Sequence, residues 1–156
     1  MPGPIHWDRV KIIPDYDSKG WWEATKRREY VVNQCNKCGN KWFPPLPACN
    51  RCQSTDVGWF KTQGKGFIYS YVVVVQPIFA HFVDAVPYVV AVIELPDANN
   101  PGHYPTRVAA VLRDDEAKVA IGLPVEVDWE ETPDPEIVIP FWKVSGTAEN
   151  TWKFPG

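Results

Sequence analysis

Hydrophobic positions in the second half of this chain recur with a period of two. Gly66-Phe67-Ile68-Tyr69-Ser70-Tyr71-Val72-Val73-Val74-Val75 is rich in β-branched and aromatic residues, which fit a pleated, half-buried surface. Tyr88 to Leu95, Thr106 to Leu112, Val125 to Glu130 and Ile137 to Trp142 repeat the pattern. Pro140 places the last run at an edge or strand end, because proline cannot donate to a ladder. Five strands at this spacing, with no helical period between the first two, predict a small barrel.

The first half reads differently. Residues 1–16 are irregular and punctuated by proline. Asp17 to Arg28 is the best helix candidate: Asp17 or Ser18 can cap it, and Lys26-Arg27-Arg28 suits the negative end of its dipole. Adjacent Trp21 and Trp22 point about 100° apart on a helix, so one is expected to face this chain and the other a partner. Two long connections, Gln76–Pro87 and Pro96–Pro105, carry apolar residues and histidines. Connections of that length are usually functional or disordered.

Composition narrows the class. The 16 prolines disfavour long helices, and eight tryptophans exceed what a small core is expected to absorb. Sixteen basic residues against 19 acidic ones give a net charge of -3, which offers no footprint for nucleic acid. The longest apolar run, Ala85 to Leu95, is broken by Pro87 and Glu94, short of the roughly 18 residues that span a bilayer. Charge rather than an apolar run follows Met1-Pro2-Gly3-Pro4. The expectation is therefore a cytoplasmic protein without a signal peptide.

The cysteines carry the clearest chemistry. Cys35-Asn-Lys-Cys38 and Cys49-Asn-Arg-Cys52 are all the cysteine present. Two such turns facing each other complete a tetrahedron of thiolates, the geometry of structural zinc. A redox dithiol would sit at the start of a helix, but Phe43-Pro44-Pro45-Leu46-Pro47 blocks one here. Disulfides do not persist in a reducing compartment, and an iron centre is the remaining alternative.

Taken together, the helix Trp21-Trp22-Glu23, the run Cys35-x-x-Cys38-Gly39 through Pro44-Pro45 to Cys49-x-x-Cys52, Gly64-Lys65-Gly66-Phe67-Ile68-Tyr69-Ser70, Pro87-Tyr88-Val89-Val90-Ala91, Ile121 to Val127 and Pro140-Phe141 carry a resemblance. Over about residues 17–144 the chain resembles the rubredoxin-like zinc-ribbon plus OB-fold proteins associated with acyl-CoA enzymes, long catalogued as a domain of unknown function. It departs from them at Asn50, where proline is common, and in the length of the 96–105 connection. The resemblance implies a mainly β fold: an N-terminal arm and helix (1–30), a rubredoxin-like zinc ribbon (31–60), a five-stranded OB-fold barrel (61–145) and a C-terminal tail (146–156). It also implies a structural Zn2+ on Cys35, Cys38, Cys49 and Cys52. Such proteins are similar to small subunits of heteromeric thiolases, benzoylsuccinyl-CoA thiolase among them, and of acyltransferases and aldolases. The thiolase-fold partner carries the catalytic residues there, and a coenzyme A thioester is the ligand of the complex.

On that reading this chain supplies no catalytic residue. The histidines, His6, His81 and His103, are tied to no nucleophile by a recognisable spacing. Candidate contacts to a partner or to acyl-CoA are Trp21, Trp22, Arg27, Arg28, Phe79, His81 and Phe82, with Lys61 and Lys65 as further cations. The alternative is an OB-fold that binds single-stranded nucleic acid. It would stack bases on Phe67, Tyr69 and Tyr71, which stand two apart.

Overall fold

The computed structural model describes residues 3–155; Met1, Pro2 and Gly156, which belong to the expected arm and tail, lie outside the described residues. Among the described residues two sheets and one α-helix form. The first sheet has three strands, β1 (Val31–Cys35), β2 (Lys41–Trp42) and β3 (Val57–Lys61), in the order β2-β1-β3. The second is a closed barrel of β4 (Lys65–Val74), β5 (Tyr88–Glu94), β6 (Arg107–Leu112), β7 (Pro124–Glu131) and β8 (Val138–Val144), in the order β4-β5-β6-β8-β7. The five period-two runs of the sequence become these five strands.

Closure is unequal around the barrel. β7 pairs with β8 along seven residue pairs. The parallel seam between β6 and β8 holds one registered pair, Leu112 with Trp142. Pro140 stands on β8 opposite Trp129, so its missing donor falls in the strand that closes the weakest seam.

The ribbon and barrel share a core. Tyr30, Val31 and Val32 lie in one cluster with Ile68, Ile93, Leu112 and Trp142. Tyr30 packs edge-on against Trp142 at 5.2 Å, and burial pushes its phenol pKa up. The ribbon's tip has a small cluster of its own, Trp42 beside Cys35 and Cys49. Of the eight tryptophans, Trp21, Trp42 and Trp142 are buried, while Trp59 and Trp152 are 39% and 51% exposed.

The helix α1 (Lys19–Lys26) is shorter than the sequence predicts. Neither Asp17 nor Ser18 caps it by side chain. Asp15 does the work one turn earlier: the Ser18 N–H donates to Asp15 Oδ1 at 2.7 Å and the Asp15 N–H to Ser18 Oγ at 3.2 Å. The Ser18 hydroxyl, and then the Ser18 backbone N–H, hold the Asp15 carboxyl below its ordinary pKa. Gly20 lets the helix approach the ribbon, since a Cβ there would lie 2.6 Å from Trp59 Nε1.

The other termini brace the barrel. Near the N-terminus, the Trp7 indole donates to Glu130 at 2.8 Å, and the His6 N–H donates to the His81 carbonyl at 2.8 Å. Near the C-terminus, Trp152 forms an isolated antiparallel bridge with Ile121, and Phe154 packs on Tyr71 at 4.8 Å.

Candidate metal centre and binding surfaces

Each cysteine bracket is a tight turn built by backbone donors. In the first, the Gly39 N–H donates to the Cys35 carbonyl at 2.9 Å and the Cys38 N–H to Cys35 Sγ at 3.4 Å. Gly39 takes φ +75, which glycine adopts without cost. In the second, the Cys52 and Arg51 N–H groups point to Cys49 Sγ at 3.5 and 3.3 Å. Gln53 fills the left-handed position there at φ +62.

All four Sγ atoms lie within 4.8 Å of one another. Cys35 and Cys52 are 3.6 Å apart, Cys38 and Cys49 3.7 Å. Metal–sulfur bonds of about 2.3 Å in a tetrahedron place sulfurs about 3.8 Å apart, so the four side chains fit a zinc-sized ion. None is in a disulfide. Burial works to raise the Cys49 thiol, but the Cys52 and Arg51 N–H groups outweigh it and bring the pKa to about 6. The Ser54 N–H favours the Cys52 thiolate, yet burial and the three neighbouring sulfurs push it up to about 11. Thiolates this close need a cation among them.

No motif or spacing in the sequence singles out Asn40. Its amide donates to Asn50 Oδ1 at 2.7 Å and approaches Cys49 Sγ at 3.7 Å. Asn50, at the position where the resemblance leads one to expect proline, is thus the acceptor that ties the two knuckles together.

The expected contact residues fall into two separate groups. Trp21 is buried against Tyr30 and Phe43, and Trp22 packs edge-on against it at 4.8 Å, half-buried. The basic run beside them is neutralised. Arg27 pairs with Glu29 at 3.2 Å, Arg28 with Glu131 at 2.9 Å, and Lys26 with Glu136. Phe79, His81 and Phe82 lie in the β4–β5 connection, where His81 stacks on Phe79 at 5.6 Å and Phe82 on Tyr88 at 4.8 Å. Trp7 backs them. Asp84, near the end of this connection, pairs with His6 at 2.6 Å.

The aromatic face expected on β4 is broken. A bulge between Ile68 and Ser70 interrupts the pairing with β5, and one extra residue reverses the alternation beyond it. Phe67 and Tyr69 are 48% and 50% exposed, but Tyr71 is 4% exposed and points to the core. Tyr69 is stacked by the Arg107 guanidinium at 3.7 Å.

Residues 59–130 match the family described as "ChsH2, C-terminal OB-fold domain". Among solved structures, the chain is similar to one described as "Ltp2-ChsH2(DUF35) aldolase", at 34% identity and a TM-score of 0.71, covering 86% of this chain and 98% of that one. The chain belongs to the ChsH2-type DUF35 family. This DUF35 chain is also 35% identical over 135 residues to a probable enoyl-CoA hydratase alpha subunit of Thermomonospora curvata. That match covers 86% of this chain and 40% of the relative, so the DUF35 chain spans well under half of that protein. A DUF35 domain-containing scaffold protein of Methanothermobacter thermautotrophicus is 37% identical over 76 residues, 48% of this chain and 56% of its own length. The cysteines of this DUF35 chain lie before the matched OB-fold span, on the ribbon.

Proposed function

We propose that this chain is a non-catalytic, zinc-binding accessory subunit of a heteromeric thiolase-fold enzyme, a thiolase, acyltransferase or aldolase acting on acyl-CoA. It supports assembly of the complex and helps shape the acyl-CoA site. Zinc held by Cys35, Cys38, Cys49 and Cys52 fixes the ribbon, whose tip has little apolar core beyond Trp42. The units of the proposal are the arm and helix to residue 30, the ribbon to 60, the barrel to 145 and the tail. Unbridged thiols suit the reducing cytoplasm. Among the described residues no helix is long and apolar enough to cross a membrane.

The observation that carries the reading is the apolar surface at the end of β4 and in the connection after it. Val72, Val75, Ile78, Phe79 and Val83 are 59%, 69%, 80%, 60% and 43% exposed. Apolar side chains grouped on one surface mark a contact with another protein. The N-terminal arm braces this connection through His6, Trp7 and Arg9, so little order remains to be imposed on binding. His6 is engaged by Asp84, and the cysteines face one another, which supports placing the catalytic groups on the partner. Kinship to proteins named as an enoyl-CoA hydratase subunit and an aldolase supports acyl-CoA chemistry. The nucleic-acid alternative loses its three-ring face, because Tyr71 is inside.

Co-expression with a thiolase-fold chain encoded nearby tests the proposal. Co-purification, and thiolysis that needs both chains, is the expected result. Ile78→Asp with Phe79→Asp abolishes capture and leaves thermal stability unchanged. Full activity of the partner alone, or capture indifferent to both substitutions, rejects it.

A further inference from the structure

Between the second cysteine knuckle and the β5–β6 connection lies an open groove of about 390 Å³. Lys41, Arg51, His103 and Arg107 line it, and no carboxylate does. In a chain of net charge -3, a concavity lined only by basic and neutral groups concentrates positive potential.

The comparison with the basic run after α1 decides where an anion fits. Lys26, Arg27 and Arg28 each meet a carboxylate. Among the described residues, neither Lys41 nor Arg51 makes an ion pair. The groove is also held in shape. Lys41 Nζ donates to the Asn99 carbonyl at 3.1 Å and lies 4.9 Å from the Phe60 ring. Arg107 is ion-paired with Glu94 at 3.0 Å and lies 3.7 and 4.7 Å from the rings of Tyr69 and Tyr104, so it serves the wall of the groove. Tyr104 is 74% exposed, an aromatic surface at the rim. In the wall, the buried Thr106 hydroxyl has no hydrogen-bond partner.

The geometry points to this groove as the binding site for the phosphate-bearing nucleotide end of a coenzyme A ester, with phosphates against Lys41 and Arg51 and the base on Tyr104. This rests on the acyl-CoA reading above. Guanidinium and ammonium groups beside an exposed ring match a ligand that carries phosphates and an aromatic base together.

The test is titration of the full chain with adenosine 3′,5′-bisphosphate, followed by amide resonances. Shifts are expected at Arg51, His103 and Tyr104, weakening with salt. Arg51→Glu lowers affinity roughly tenfold, the loss of one charge-assisted contact. The Arg51 side chain is exposed and only its backbone N–H serves Cys49, so unchanged ribbon resonances verify that the variant is folded. Tyr104→Ala removes the preference for the nucleotide over pyrophosphate. Absence of shifts in the groove, affinity indifferent to Arg51→Glu, or pyrophosphate binding the native chain as tightly as the nucleotide overturns the assignment. Tighter binding of a short single-stranded RNA overturns it in favour of nucleic acid. Co-purification reads Ile78 and Phe79 instead, so failure here and failure of the partner reading are separate results.

Discussion

The Asn100 side chain pairs with the backbone of Lys41 in both directions. The Lys41 N–H donates to Asn100 Oδ1 at 2.8 Å, and Asn100 Nδ2 donates to the Lys41 carbonyl at 3.0 Å. A side-chain amide from the β5–β6 connection thus acts as one more strand on the ribbon edge. Asn100 is 6% exposed. Asn100→Ala removes both bonds and strands two backbone groups, so it costs about 1–3 kcal/mol. Urea unfolding measures the loss, and faster hydrogen exchange at the Lys41 amide localises it.

Metal content tests the cysteine cluster. The purified chain is expected to carry one zinc per molecule by elemental analysis. Cys49→Ser removes it, together with the sulfur that accepts two backbone N–H groups. A structural zinc contributes roughly 10–16 kcal/mol of apparent binding energy. Resonances of the two knuckles and of β2 then collapse before those of the barrel, because the tip has only its small Trp42 cluster to hold it.

Gly20→Ala reverses the usual propensity rule. In an exposed helix alanine gains about 0.5–1 kcal/mol over glycine. Here the new Cβ would lie 2.6 to 2.8 Å from three atoms of the Trp59 indole. The substitution is expected to lower the thermal midpoint. Adding Trp59→Ala removes the clash, so the double variant recovers part of the loss; strict additivity would refute the contact.

Acid stability has an identifiable contributor in Glu29. The Arg27 side chain holds its carboxyl below the ordinary value of 4.5, against desolvation and with help from Lys61. A lowered carboxyl pKa gives stability that is present above the unfolded-state value and is lost as pH falls through the folded-state one. Glu29→Gln removes that contribution at neutral pH and flattens the decline below pH 4.5. Urea midpoints of the two proteins across the acid range check it, and they converge at the acid end.

The five barrel strands, the presence of one helix around Trp21 and Trp22, and the two knuckles were legible because their signals are local; the helix ends were not, since Asp15 rather than Asp17 or Ser18 sets the start. Period-two alternation fixes which residues face inward, and two residues between cysteines fix where sulfurs point. The surfaces were less legible. One inserted residue in the β4–β5 pairing sends Tyr71 inside while Phe67 and Tyr69 remain outside, and alternation alone does not show where the bulge falls. Helix spacing showed that Trp21 and Trp22 diverge. Only the junction with Tyr30 and Phe43 decided that Trp21 is the buried one.

The sequence by itself determined a mainly β chain with a four-thiolate cluster. The tertiary structure decided which charges remain available. His6 finds Asp84 across 78 residues, Arg28 finds Glu131 across 103, and Asn100 finds Lys41 across 59. Glu131, with Glu29 and Glu136, neutralises the basic run after the helix, while Lys41 and Arg51 beside the second knuckle meet no carboxylate among the described residues. The reason is physical: pairing of charges depends on distances of a few ångströms that the closed barrel sets, and no local spacing encodes them.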